Sequence, residues 1–185
     1  MTNVATPAPS AAALWRAGLI TAVTDGLFSS ILSAFVYGST VMRLWQGVAS
    51  VLIGANALQG GLPTALVGVL MHVAVAFTWS GIFFALARFA APVRRTIRSI
   101  PGILGVAAIY GPVVWLAMSL LVIPSLTHRP PAVTFRWWVQ FAGHMVFVGL
   151  PIVWTIARGV DVARTGDTPP PIATADPESF GAAPL

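Results

Sequence analysis

The chain has 185 residues, of which 57% are hydrophobic and only 8% charged, with a mean hydropathy of +0.85. A soluble domain has about a quarter of its residues charged, so this composition excludes one and calls for lipid as the main solvent. All ten basic residues are Arg and none of the 185 is Cys, which excludes disulfides, iron–sulfur clusters and thiol chemistry. The net charge of +5 needs no nucleic-acid partner, because arginine gathers in the loops on one side of a membrane.

Residues 1–12, MTNVATPAPSAA, are small, polar and Pro-containing, and are expected to form a disordered tail. A cleavable leader is the rival reading, against which Asp25 stands inside the apolar stretch that follows. That stretch, Ala17 to Gly38, is long enough to cross a bilayer and is the first of four expected spans. On a helix, Ala22, Gly26, Ser30, Ala34 and Gly38 form a groove of small side chains suited to close helix packing. One position earlier, Thr21, Asp25, Ser29 and Ser33 make a polar row that must face a bundle interior.

Val41 to Ile53 is too short to span. Arg43, Gln46, Gly47 and Ser50 share one face, with Leu44, Trp45, Val48, Val51 and Leu52 on the other, which predicts an amphipathic helix in the interface or over the mouth of the bundle. The second span, about 64–87, carries His72 on a small-residue face with Gly68, Ala76 and Ser80. It ends in a loop bearing Arg88, Arg94, Arg95 and Arg98.

The third span, about 103–123, contains Pro112, which frees the carbonyl of Ala108, and Tyr110, whose phenol needs a partner. Pro124 is expected to close it. The fourth span, about 137–157, has Thr134 as its expected N-cap, Gln140 and His144 one turn apart, and Pro151, which frees the carbonyl of Phe147. Residues 159–185 are Pro-rich and hold four of the five acidic residues, Asp161, Asp167, Asp176 and Glu178, as a disordered tail does.

The predicted fold is thus an all-α membrane protein: a four-transmembrane-helix bundle over 13–158 with a short interfacial amphipathic helix at 41–53. Seven Arg fall on one side (Arg16, Arg88, Arg94, Arg95, Arg98, Arg158, Arg164) and three on the other (Arg43, Arg129, Arg136). Both termini are therefore expected to be cytoplasmic.

Depth decides which polar groups meet. At about 1.5 Å per residue, Asp25 and Tyr110 lie at similar distances from the cytoplasmic side, and His72 and His144 at similar distances from the outer side. Asp25 with Thr21, Ser29 and Tyr110 is therefore either a proton or ion site or a structural fastening of span one to span three. His72 and His144 are either a bis-imidazole site for b-type haem, with Gly68, Ala76 and Gly143 making room, or ordinary buried histidines bonded to their neighbours. Zinc lacks a third and fourth ligand. No enzyme is expected, since no nucleophile and base share a depth with an oxyanion site.

LMHVAVAFTWSGIFF, GVAAIYGPVVWLAMSLLVIP and GHMVFVGLP in that order resemble the YagU type of small bacterial inner-membrane protein. The resemblance covers about residues 60 to 155, implies the membrane-bundle fold and carries no catalytic residue. The leading functional expectation is a non-enzymatic accessory or packing subunit that offers the groove of span one to another membrane subunit or a second copy. The alternatives are a small proton- or ion-coupled transport protein using Asp25, and a haem electron carrier.

Overall fold

The computed structural model describes residues 9–166, with side chains through Val160. Six helices follow in order: α1 (Ala11–Val36), α2 (Val41–Ile53), α3 (Gly61–Phe89), the short α4 (Ala91–Thr96), α5 (Ile100–Thr127) and α6 (Phe135–Val160, continuing to Gly166). No strand occurs among the described residues. Helices α1, α3, α5 and α6 are each long and apolar enough to cross a membrane.

Most of their apolar surface faces outward. On α1, Trp15, Leu19, Val23, Leu27, Ile31 and Phe35 recur every fourth residue and all are exposed. Thr21, Asp25 and Ser33 lie inward and buried, with Ser29 half-buried. Apolar out and polar in is the arrangement for a lipid solvent.

Helix α1 packs between α3 and α6, and α6 packs in turn against α5. Glycines set the close crossings. A Cβ on Gly111 of α5 would strike the carbonyl oxygen of His144, and one on Gly149 of α6 would strike that of Ala107. Only hydrogen fits at either point. Between α3 and α5 the link is aromatic: the Tyr110 hydroxyl donates to the Trp79 carbonyl at 2.7 Å and its ring lies 4.9 Å from that of Phe83. A continuous core of Ala17, Phe83, Ala87, Ile103, Ala107, Ile152 and Ile156 fills the half of the bundle that carries Arg16, Arg88 and Arg158. The opposite half, where α2 lies, is open inside.

Helix α2 has the expected limits and begins at Thr40, whose hydroxyl accepts from the Arg43 amide at 3.1 Å. It packs chiefly on α3, so closely that a Cβ on Gly68 would strike the Trp45 carbonyl. Of its polar face Gln46 is buried and donates to the Gly61 carbonyl at 3.1 Å, while Arg43 is exposed.

Three spans contain a π-helical turn: Leu32–Val36, Ala117–Val122 and Met145–Gly149. Two lie just ahead of a proline, Pro124 and Pro151. The wider turn accommodates the pyrrolidine ring where the missing N–H would otherwise break the bonding pattern. For this reason α5 continues through Pro124 to Thr127, where His128 at φ 54° ends it, instead of closing at the proline.

The carbonyl of Phe147, freed by Pro151 as expected, accepts from the Thr24 hydroxyl of α1 at 2.8 Å. Beside it the Phe28 and Phe147 rings stack with centroids 4.2 Å apart. Thr24→Val keeps the shape and removes the donor, and is expected to lower stability by about 1 kcal/mol in detergent melts, with Thr24→Ser close to the parent.

The spans are longer than the hydropathy reading at most ends. Helix α1 starts at Ala11, inside the expected tail, and α6 starts at Phe135 and stays helical through 159–166. Thr134 occupies the N-cap position of α6 but its side chain makes no capping bond. The expected tails at 1–8 and 167–185 lie outside the described residues.

Candidate functional site

The open half of the bundle encloses a cavity of about 680 Å³. Asp25, Ser29 and Ser33 of α1 line it, together with His72 of α3, Trp115 of α5, Trp137, Gln140 and His144 of α6, and Arg43 of α2. Leu44, Val48, Val51, Met71, Val75 and Met118 supply an apolar wall. Tyr37 and Arg136 form one side of the mouth. The guanidinium sits 4.5 Å over the phenol ring and donates to the Tyr37 carbonyl at 3.1 Å. Both also line a second, smaller cavity of about 550 Å³, so the pair is a partition between the two. Burial raises the Tyr37 phenol's pKa, against the opposing pull of Arg136.

Asp25 is 9% exposed and, before Asp161, is the only acidic residue in the chain. Its Oδ2 lies 3.9 Å from Nδ1 of His72. The other ring nitrogen, Nε2, lies 3.1 Å from the carbonyl of Ala22. A carbonyl only accepts, so Nε2 carries the hydrogen of that contact, and a neutral ring then turns the bare lone pair of Nδ1 toward the carboxylate. At 3.9 Å the two groups are within ion-pair range but further apart than a hydrogen bond. Geometry places Asp25 and His72 side by side as one polar unit.

Local structure holds that unit in place. Gly26, the centre of the small-residue groove, abuts His72 and Trp45, each 3.4 Å from where its Cβ would be. The Trp45 ring lies edge-on to His72 at 5.2 Å. Across the cavity, His144 donates from Nδ1 to the Gln140 carbonyl at 2.7 Å, and its ring lies 4.8 Å from that of Trp115. Gln140 reaches Ser29 at 3.3 Å.

Several buried polar atoms here have no protein partner among the described residues: Asp25 Oδ1, Gln140 Oε1, the Tyr37 hydroxyl and the indole nitrogens of Trp115 and Trp137. An unsatisfied buried polar group costs about 1–3 kcal/mol. The five belong to residues that line the cavity, but the atoms themselves are turned into the protein and have no accessible surface.

The expected residues are partly regrouped. Thr21, Asp25, Ser29 and Ser33 all turn inward, and His72 and His144 share the cavity as their depths suggested. Tyr110 does not join Asp25; its hydroxyl is committed to Trp79 and its ring to the core. The reason is where α1 begins. Starting at Ala11 instead of Ala17 puts Asp25 about 9 Å further along the span, level with His72.

Within the groove, Gly26 is buried and Ala22, Ser30 and Ala34 are half-buried, while Gly38, at φ 59°, belongs to the turn beyond the helix. At Gly26 the groove is filled by this chain's own α2 and α3 rather than left open for a partner. The haem pairing also meets a misfit. Both nitrogens of His72 face partners, and the room expected at Gly68 and Gly143 is taken by the Trp45 backbone and the Phe28 ring.

Three participants escape a reading by depth: Trp115, Trp137 and Arg43. The mixed face of α2 was the available signal for Arg43. No family model, curated protein or solved structure matches the chain.

Proposed function

We propose that this chain is a multi-pass inner-membrane protein of the proton-coupled permeation class, with the Asp25–His72 pair as its proton site and the cavity under α2 as its solute-binding chamber. The observation that carries the reading is the pair itself: the one membrane-embedded acid stands 3.9 Å from an imidazole nitrogen that its own backbone contact leaves bare. An ionised Asp at the centre of a span costs about 2.5–3.5 kcal/mol on insertion scales. Sharing a proton with His72 lowers that cost and makes the site responsive to pH. The arginines support the orientation: Arg16, Arg88, Arg94, Arg95, Arg98 and Arg158 cluster at one end of the bundle, with Arg43, Arg129 and Arg136 at the other. The first end is then cytoplasmic and the cavity belongs to the outer half.

Infrared spectroscopy of the chain in lipid, recorded across pH, tests the reading. The expected result is a carboxylic-acid carbonyl band that fades as pH rises and is missing from Asp25→Asn. A spectrum in which the substitution removes no titrating band contradicts it.

A further inference from the structure

The connection from α3 to α5 carries positive charge with no carboxylate to answer it among the described side chains. Arg88, Arg94, Arg95 and Arg98 fall within eleven residues, and the sole acid among those side chains, Asp25, lines the cavity in the other half of the bundle. The connection is also firmly built. Arg94 donates from one guanidinium nitrogen to the carbonyls of Ala87 at 3.1 Å and Arg88 at 2.7 Å, which closes the end of α3. That bond ties the residue before Arg95 to Arg88 itself, so the two arginines stand on one shelf. Ile97 is buried in the core, and α4 turns so tightly onto α5 that a Cβ on Gly102 would strike the Thr96 carbonyl. Ser99 caps α5, accepting from the Gly102 amide at 3.2 Å, and the positive end of that long helix opens at the same place.

Arg88 and Arg95 are both exposed, and neither guanidinium makes a hydrogen bond or ion pair among the described residues. That of Arg88 only overlies the Phe89 ring at 5.9 Å. The shelf lies where two spans end. Phe89 is 81% exposed and Ile100 62%, with Leu86 and Leu104 exposed one turn further into the spans. From this we infer that the shelf is a docking surface for an anionic phospholipid, its phosphate taken by Arg88 and Arg95 and its acyl chains laid along Leu86, Phe89, Ile100 and Leu104. Guanidinium donates in pairs to phosphate oxygens. Lipid is the occupant because the same few residues offer unpaired charge and bare apolar surface side by side, and a soluble anion uses only the first. A zwitterionic headgroup brings its own cation to the shelf and is the weaker match. The inference stands apart from the proton reading, since it concerns the opposite end of the bundle.

Native mass spectrometry of the full chain tests it, with the detergent-solubilised protein offered equal amounts of phosphatidylglycerol and phosphatidylcholine bearing the same acyl chains. Phosphatidylglycerol is expected to be retained about tenfold more than phosphatidylcholine. Arg88→Gln with Arg95→Gln is expected to equalise the two lipids, and the corresponding Lys pair to keep most of the preference. Arg129→Gln, at an exposed position of the opposite end, is expected to leave it unchanged. Equal retention by the parent chain overturns the inference, as does a preference that survives the Gln pair. A loss of the same size in Arg129→Gln also overturns it, by reducing the effect to net charge. So does a preference gained only when Asp167, Asp176 and Glu178 are neutralised, which assigns the shelf to the chain's own acidic residues.

Discussion

Asp25→Asn is expected to reduce proton entry into proteoliposomes to the protein-free rate while the purified chain keeps its helix content and elution volume. An acid pulse outside vesicles loaded with a pH-sensitive dye, with the membrane potential clamped, measures it. The expectation follows from what Asn can do at this position. It has nearly the size of Asp, keeps a carbonyl oxygen, and turns an N–H donor toward the bare Nδ1 of His72, which stands 3.9 Å from the native carboxylate. The contact is satisfied permanently, so the fold loses little. What disappears is the ability to gain and release the proton, since an amide does not titrate. His72→Gln should fall in the same assay, because Asp25 then loses the group that shares its proton. Wild-type proton entry in Asp25→Asn would remove Asp25 from the mechanism.

The largest loss of stability is expected from a single methyl at Gly111. Its Cβ would overlap the carbonyl oxygen of His144, and next to it the Met145 amide. Backbone on the facing helix cannot rotate away as a side chain can. Helices α5 and α6 must separate along their whole contact, at a cost of about 3 kcal/mol. Gly26→Ala is the comparison. Its nearest neighbours are the Nε2 of His72 and the edge of Trp45, both 3.4 Å away and both side-chain ends, so under about 1 kcal/mol is expected. Melting of both variants in the same detergent checks the order, and a Gly111→Ala melt at the wild-type temperature would contradict the crossing as described. Gly26→Leu should act differently, pushing His72 off Asp25 and damaging the site more than the bundle.

Composition and small-residue spacing revealed the four spans, the half-length α2 and the inward polar row of α1, because each depends on a helix and its own solvent. The freed carbonyl of Phe147 was equally visible, being a local property of Pro151. Its partner was not. Thr24 reaches it only through the register of α1 against α6, which no single helix encodes. Asp25 was assigned to Tyr110 by depth, but depth counts from where a helix begins, and hydropathy does not mark α1's first turns AAALWR as helical. Depth also carries no azimuth, so it could not tell that Tyr110 turns to Trp79 and Phe83. The cavity was hidden for a third reason. It exists because α2 folds back across α3 at Gly68 with Gln46 buried, and an amphipathic pattern alone fits a helix lying on the membrane surface just as well.

The central claim is that Asp25 and His72 hold one proton between them. Nitrogen-15 NMR of the histidine-labelled chain in lipid tests it most directly, with the His72 signals identified by their loss in His72→Gln. The account expects Nε2 to be protonated throughout, Nδ1 to titrate, and Asp25→Asn to change the Nδ1 signal. A His72 ring that carries its hydrogen on Nδ1 with Nε2 bare, or whose signals ignore the Asp25→Asn change, would contradict it.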